Sequence, residues 1–293
     1  MTRAEGLEMW TRGVVAACLP LKRKAGAGQF KPTIPMLLLA LLLSAGCAQE
    51  ITQRSISSER FTFDHGAIVR GDRAQRQIAL IFTGGEHGEG TPHILDVLRA
   101  RGIKASFFVT GDFIRKDEHK PYLRRVVAEG HYLGPHSDTH PLYCPWEDRK
   151  RTLVTEEFFR EDLQRNIEDL RRFGALKPGA PVWFIPPYEW FNEDQVEWAR
   201  RMGVGLFNFT PGTGSNRDWA PEGHKSFVPG QVIMDDILAY ERKNPDGLNG
   251  FLLLLHLGAQ REDKAWRLLE PLVVELAQRG YRFVRVDEML GRP

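Results

Sequence analysis

The segment His136-Ser-Asp-Thr-His140 is where residue type and spacing most sharply suggest chemistry. Two histidines four apart share one face of a helical turn, so both imidazoles can reach one metal ion. Without context, the same pair reads as two solvated histidines. A divalent ion held by two imidazoles needs at least one more protein ligand and an open position for water. Carboxylates that would supply it stand in Glu86-His87-Gly88-Glu89-Gly90, and another, Glu189, follows Pro186-Pro187-Tyr188. Glu86 is the expected third ligand, against the alternative of a solvated loop acid, and His87 is the weaker candidate. Glu189 reads either as a general base or as a polar residue on the rim of a site. Asp138, between the two histidines, either orients one of them or points to water. His256 ends the apolar run Leu252–Leu255, where a lone histidine is ordinarily a core residue with its hydrogen bond satisfied.

Residues so placed need a scaffold that brings distant loops together. Stretches rich in β-branched and aromatic residues fall at 77–83, 105–109, 131–136, 181–186, 205–210, 250–256 and 282–286. Helical patterns lie between them at 91–101, 118–129, 155–172, 192–202, 231–240 and 263–279; in the last, Trp266, Leu269, Val273 and Leu276 keep a 3.6-residue stripe. Strands alternating with helices argue for parallel β/α units, and strands apolar on both faces argue that the sheet is covered on both sides. Seven such strands suit a distorted (β/α) barrel better than an open sheet. In a barrel the candidate residues, which follow strand C-termini, converge on one face.

Several stretches together resemble the polysaccharide deacetylases, the family-four carbohydrate esterases with NodB-like folds. Gly130-His-Tyr-Leu-Gly-Pro-His-Ser-Asp-Thr-His-Pro141 resembles that family's second motif, and Phe184-Ile-Pro-Pro-Tyr188 stands where its third motif falls. Leu252-Leu-Leu-Leu-His256 is similar to the fifth, whose histidine is the general acid. Ile78–Phe82, Thr91–Leu98 and Lys104–Gly111 look like its first strand, first helix and second strand, so the resemblance spans roughly 76–290. It implies a barrel of about seven strands and a hydrolase of carbon–nitrogen (non-peptide) or ester bonds. The expected activity is removal of N- or O-linked acetyl groups from a glycan, with a divalent ion, zinc by preference, as cofactor.

The departures are equally informative. The family's first motif is Thr-Phe-Asp-Asp-Gly, with a catalytic base and a metal ligand as its two aspartates; here the stretch is Ile81-Phe-Thr-Gly-Gly85, and both carboxylates are gone. Ile185 replaces the arginine that orients that base. The resulting expectation is a rebuilt site: His136, His140 and Glu86 on the metal, Glu189 as base and His256 as acid. The competing readings are a carbohydrate-binding pseudoenzyme that lost the chemistry and a metal-dependent hydrolase of a non-sugar substrate. Tyr188, Trp190 and Trp219 lie in aromatic clusters beside polar loops and are expected to stack on sugar, although such residues also build cores.

Composition excludes other classes. Apolar residues make up 42% and charged residues 27% of 293, which excludes a disordered chain, and a formal charge of +2 gives no footprint for nucleic acid. Residues 1–46 hold six basic and two acidic side chains, leaving a body of 34 basic and 36 acidic residues. Lys22-Arg23-Lys24, the apolar run Met36–Leu43 and Ser44-Ala45-Gly46-Cys47 read in order as a bacterial signal peptide ending in a lipobox. Lipidation at Cys47 and a cell-envelope location, anchored to the membrane, are therefore expected. Residues 47–75 are polar and read as a tether, and 76–293 as the catalytic domain, a monomer. The glycine-rich 211–214 lacks the Gly-Lys-Ser/Thr ending of a phosphate loop. The cysteines Cys18, Cys47 and Cys144 show no metal or disulfide spacing.

Overall fold

The structure, a computed structural model, describes residues 60–293. The lipobox, Cys47 and the expected signal peptide lie outside the described residues. Among those described, no helix is long and apolar enough to cross a membrane.

All seven expected strands form, as β3 (Gln77–Gly84), β4 (Ser106–Val109), β5 (Tyr132–Pro135), β6 (Val182–Phe184), β7 (Val204–Leu206), β8 (Phe251–His256) and β9 (Arg282–Val284). Every pairing among them is parallel. The alternation of side chains divides their apolar residues between two compartments. Ala79, Ile81, Phe108, Tyr132, Trp183, Ile185, Phe207, Leu252 and Leu254 fill the interior. Ile78, Leu80, Phe82, Phe107, Val109, Phe251 and Leu253 instead pack in the larger core with the helices. Burial on both faces is why these strands read as continuous apolar runs.

The helices are α1 (Thr91–Ala100), α2 (Gly111–Arg115), α3 (Lys120–Ala128), α4 (Glu156–Arg172), α5 (Glu193–Arg201), α6 (Gly230–Lys243), α7 (Leu269–Gln278) and α8 (Val286–Leu290). Thr155 caps α4 by accepting from the Phe158 N–H, and Asn192 opens α5 with a capping box closed by Gln195. The expected helix at 263–279 begins as a 3-10 turn, Ala265–Leu268, and becomes α only at Leu269. The short helices α2 and α8 are too brief for a periodicity argument to find.

The barrel wall is not one continuous ladder. β5-β4-β3-β8 form one run with β9 also on β3, and β6-β7 form a second. The seams are closed by particular groups. At β5/β6 the Tyr132 hydroxyl accepts the Trp183 N–H at 2.9 Å. Between β7 and β8, the Thr210 N–H donates to the Leu252 carbonyl at 2.9 Å, and the Leu252 N–H donates back to the Thr210 hydroxyl at 3.0 Å.

That second seam corrects the expectation of a tether over 47–75. Residues 62–70 form an antiparallel hairpin, β1 (Thr62–Asp64) and β2 (Ala67–Arg70), within the same compact unit as the barrel. Ile68 bridges to Phe207, and the Thr210 hydroxyl donates to the Val69 carbonyl at 2.6 Å. Hydrophobic counting alone missed this hairpin because only Ala67 and Val69 of its apolar residues are fully buried.

Candidate active site

The C-terminal ends of β3, β5, β6 and β8 bring Thr83-Gly84, His136, Ile185–Glu189 and His256 to one end of the barrel. His136 and His140 meet as expected, with ring centroids 5.0 Å apart, but not through a helical turn. The segment is a tight loop in which Ser137 (φ 68°) and His140 (φ 56°) are left-handed. Helix α4 imposes this shape. The Asn166 side-chain oxygen accepts the His136 N–H at 2.9 Å. The buried Asp162 carboxylate accepts the N–H groups of Asp138 and Thr139 and the Thr139 hydroxyl at 2.7–3.2 Å. Asp138 does not orient a histidine: its oxygens accept from Arg115 at 2.6 Å and Arg165 at 3.0 Å.

His136 sits within 2.8 Å, through Nδ1, of the Ile185 carbonyl, which fixes Nδ1 as the protonated nitrogen and leaves Nε2 with its lone pair. Burial and the neighbouring His140 keep His136 well below the ordinary histidine range; burial and His256 bring His140 down to about 4. Both imidazoles are neutral at pH 7 and competent as nitrogen ligands. The third ligand is not there. Glu86 has a side chain 81% exposed and lies 3.8 Å from His87, on a loop whose carbonyl is held by Lys116. Glu89 is engaged elsewhere, accepting from the Ala259 N–H and the Lys264 ammonium. Among the described residues no three His, Cys, Asp or Glu side chains converge so as to hold an ion. The expected Glu86-completed metal centre is therefore not assembled, because the loop after β3 carries its carboxylates outward. The side chains present do not fit a three-residue zinc site.

What is assembled is a His256–Asp218 pair with the Glu189 carboxyl in its electrostatic reach. His256 Nδ1 lies 2.6 Å from an Asp218 oxygen, and the other oxygen accepts the His256 N–H at 2.8 Å. Burial opposes a charge on His256, but Asp218 and Glu189 outweigh it and raise its pKa. Glu189 is raised to about 7: burial disfavours its charge most, His256 partly offsets that, and Asp218 adds to it. Asp218 stands directly before Trp219 in the segment that follows β7. Nothing in its spacing to His256, 38 residues away, marks it as a partner.

Glu189 is held where it is at a conformational cost. Tyr188 (φ 57°) and Glu189 (φ 52°) are consecutive left-handed residues, each costing roughly 1–2 kcal/mol for a non-glycine residue. The Asn208 amide pins the Glu189 carbonyl at 2.8 Å. Of five non-glycine left-handed residues described, four belong to this loop and the histidine loop, the kind of clustering found at functional sites. In the place of the absent aspartates, the buried Thr83 hydroxyl has no hydrogen-bond partner, and a side chain at Gly84 would collide with Leu257 and Phe113.

The aromatic residues divide. The Tyr188 ring is exposed and meets the His140 edge at 4.4 Å. Trp190 is a support, its indole N–H donating to the Pro145 carbonyl at 3.2 Å under the Arg149 guanidinium. Trp219, 42% exposed, follows Asp218 directly and packs on His224.

Residues 70–207 match the family model described as polysaccharide deacetylase. A chitooligosaccharide deacetylase of Rhizobium leguminosarum bv. trifolii is 30% identical over 196 residues, covering 64% of this chain and 74% of that protein. A peptidoglycan-N-acetylglucosamine deacetylase of Bacillus cereus is 29% identical over 217 residues, covering 74% and 89%. A CE4 family pseudoenzyme from Bacillus anthracis superposes with a TM-score of 0.61 at 21% identity, over 79% of this chain and 72% of that one, a likeness of fold. The chain belongs to the polysaccharide deacetylase family.

Proposed function

We propose that this protein hydrolyses the N-acetyl group of an extracytoplasmic glycan, with Glu189 as general base and His256 as general acid. The observation that carries the reading is the convergence, at one barrel end, of a strained, half-buried Glu189 with the Asp218-backed His256. Glu189, ionised above about pH 7, takes a proton from water as its oxygen attacks the acetyl carbon. Protonated His256 donates to the amide nitrogen as the C–N bond breaks, releasing acetate and the free amine. Asp218 holds the His256 ring and stabilises its charged form. Support for an N-acetylated glycan comes from relatives named for peptidoglycan and chitooligosaccharide substrates.

Export and lipid attachment at Cys47 are part of the proposal and rest on the lipobox-like Ser-Ala-Gly-Cys sequence. Mass spectrometry of the mature N-terminus checks them. For the chemistry, acetate release from N-acetylated chitooligosaccharides and peptidoglycan fragments is compared between the parent and Glu189→Gln, with a loss of a hundredfold or more expected. The absent aspartate pair favours one second reading, a glycan-binding pseudoenzyme. Glycan binding with no acetate release from either protein would establish it.

A further inference from the structure

Trp146 is the most exposed of the large apolar side chains described, at 58%. Its exposure does not come from a loose segment. Tyr143 and Cys144, just before it, are fully buried, and the Leu153 N–H, beyond it, donates to the Tyr143 carbonyl at 2.8 Å. Arg149 is fixed by Asp64 at 2.9 Å and lies over the rings of Trp190 and Phe191. Trp190 in turn bonds the Pro145 carbonyl, next to Trp146. Held by anchored neighbours, the exposed Trp146 is contiguous with the exposed Tyr188, and a contiguous apolar patch of this kind marks a contact surface.

The position of this surface indicates its occupant. From His140 the rings run outward without a gap: His140 to Tyr188 is 4.4 Å, Tyr188 to Trp146 5.7 Å, and Trp146 to Trp190 5.8 Å. Tyr188, at 46% exposure, therefore links the candidate active site to Trp146. We propose that Trp146 is a stacking platform for a second sugar ring, one step along the chain from the ring whose acetyl group sits at Glu189 and His256. This inference rests on the glycan-hydrolase reading for the identity of the ligand. A β-linked hexopyranose with equatorial substituents presents a face of C–H groups that suits an indole, whereas its rim hydroxyls stay in water. Trp190 and Arg149 hold the platform from behind, so little ordering entropy is lost on binding. The site is accordingly built for a chain of several sugars rather than for a monosaccharide.

The test measures affinity by calorimetry for the N-acetylglucosamine tetramer and for N-acetylglucosamine, in the Glu189→Gln background so that the ligand stays intact. Trp146→Ala should lower the tetramer-to-monomer affinity ratio about tenfold, and Trp146→Phe, which keeps an aromatic face, should retain most of it. An unmoved ratio in Trp146→Ala, or no tetramer binding at all, overturns the platform. Acetate release by the parent chain is scored separately. A Trp146-dependent ratio without acetate release keeps the platform and removes the hydrolase reading, whereas acetate release with an unmoved ratio does the reverse.

Discussion

Glu189 and His256 have pKa values displaced in directions that suit opposite roles, and this makes their assignment testable by pH. A base with its pKa near 7 is active above it, and an acid with a raised pKa is active below its own, so kcat/KM should rise through about pH 7 and fall at higher pH. Asp218→Asn removes the carboxylate that raises His256, and the alkaline limb should then move to lower pH as kcat falls. Stability carries the same signature. The folded state disfavours ionised Glu189, so its penalty is absent below about pH 4.5, grows as pH rises and is complete above about pH 7. Glu189→Gln should therefore leave the melting temperature at about pH 4 almost unchanged and raise stability at about pH 8 by at most about 3 kcal/mol, each pKa unit being worth about 1.4 kcal/mol. An enzyme that gains stability and loses activity in one substitution would mark Glu189 as functional rather than structural. The histidine pair makes a further prediction. With two imidazoles and no third side chain among the described residues, zinc should be removed by dialysis against a chelator, and His136→Ala should weaken what binding a competition titration detects. Stoichiometric zinc that survives the chelator would show that another ligand joins the pair. His136, His140, Glu189 and His256 were legible because each follows a strand and bears a group able to do chemistry. Asp218 was not, since its role exists only once the loop after β7 folds against the end of β8.

Among the elements, α4 does the most to shape the site while contributing no candidate catalytic group. Its apolar stripe runs Phe159, Leu163, Ile167, Leu170, and Asp162 and Asn166 fall on the same buried face. Polar residues within such a stripe need partners, because an unpaired carboxylate there would be very costly; the Asp162 carboxylate and the Asn166 oxygen find them, whereas Asn166 Nδ2 has none. The partner is the histidine loop, where α4 accepts the Asp138 and Thr139 N–H groups and shares the His136 N–H with the Val109 carbonyl of β4. The four-residue spacing of His136 and His140 points to a helical turn, the usual way to pair imidazoles. The loop reaches the same pairing through Ser137 and His140 at positive φ, held by acceptors 20 to 30 residues further along. Asp162→Ala should cost about 1–3 kcal/mol in urea unfolding, since it strands the buried Asp138 N–H, whereas the two Thr139 donors sit on an exposed residue that water reaches. Asp162→Asn, which keeps one acceptor, should cost less. Substrate affinity should fall with Asp162→Ala through misplacement of His140, although Asp162 is no part of the contact surface.

The whole barrel depends on a segment that composition alone assigns to the outside. Parallel strands and their helices were legible because burial on both faces leaves uninterrupted apolar runs, whereas β1 and β2 are short and antiparallel, β1 is half-exposed, and buried β2 ends in a charged Arg70. Their contribution lies in closure. Between β7 and β8 the wall has no ladder of its own, and the gap is spanned by Thr210, whose N–H and hydroxyl serve Leu252 and Val69 together. Buried Arg70 extends the joint downward, donating to the carbonyls of Gly247 and Asn249 at 2.9 Å each. Without the hairpin, those carbonyls and the Thr210 hydroxyl would lose their partners, and Asn208, which pins the strained Glu189 loop, would lose its own N–H partner, the Ile68 carbonyl. The boundary drawn at residue 76 from polarity therefore cuts through the folded unit. A chain of residues 60–293 should unfold cooperatively, whereas one of residues 76–293 should bind a hydrophobic dye and lose its sharp transition in near-ultraviolet circular dichroism. Thr210→Val in the longer chain isolates the seam from the rest of the hairpin. It preserves shape but orphans the Leu252 N–H and the Val69 carbonyl, and should lower the urea midpoint by the equivalent of about 1–3 kcal/mol with an unchanged slope. If residues 76–293 alone fold as sharply as 60–293, the hairpin is an attachment rather than a stave, and closure at β7/β8 must come from the side chains of the barrel interior.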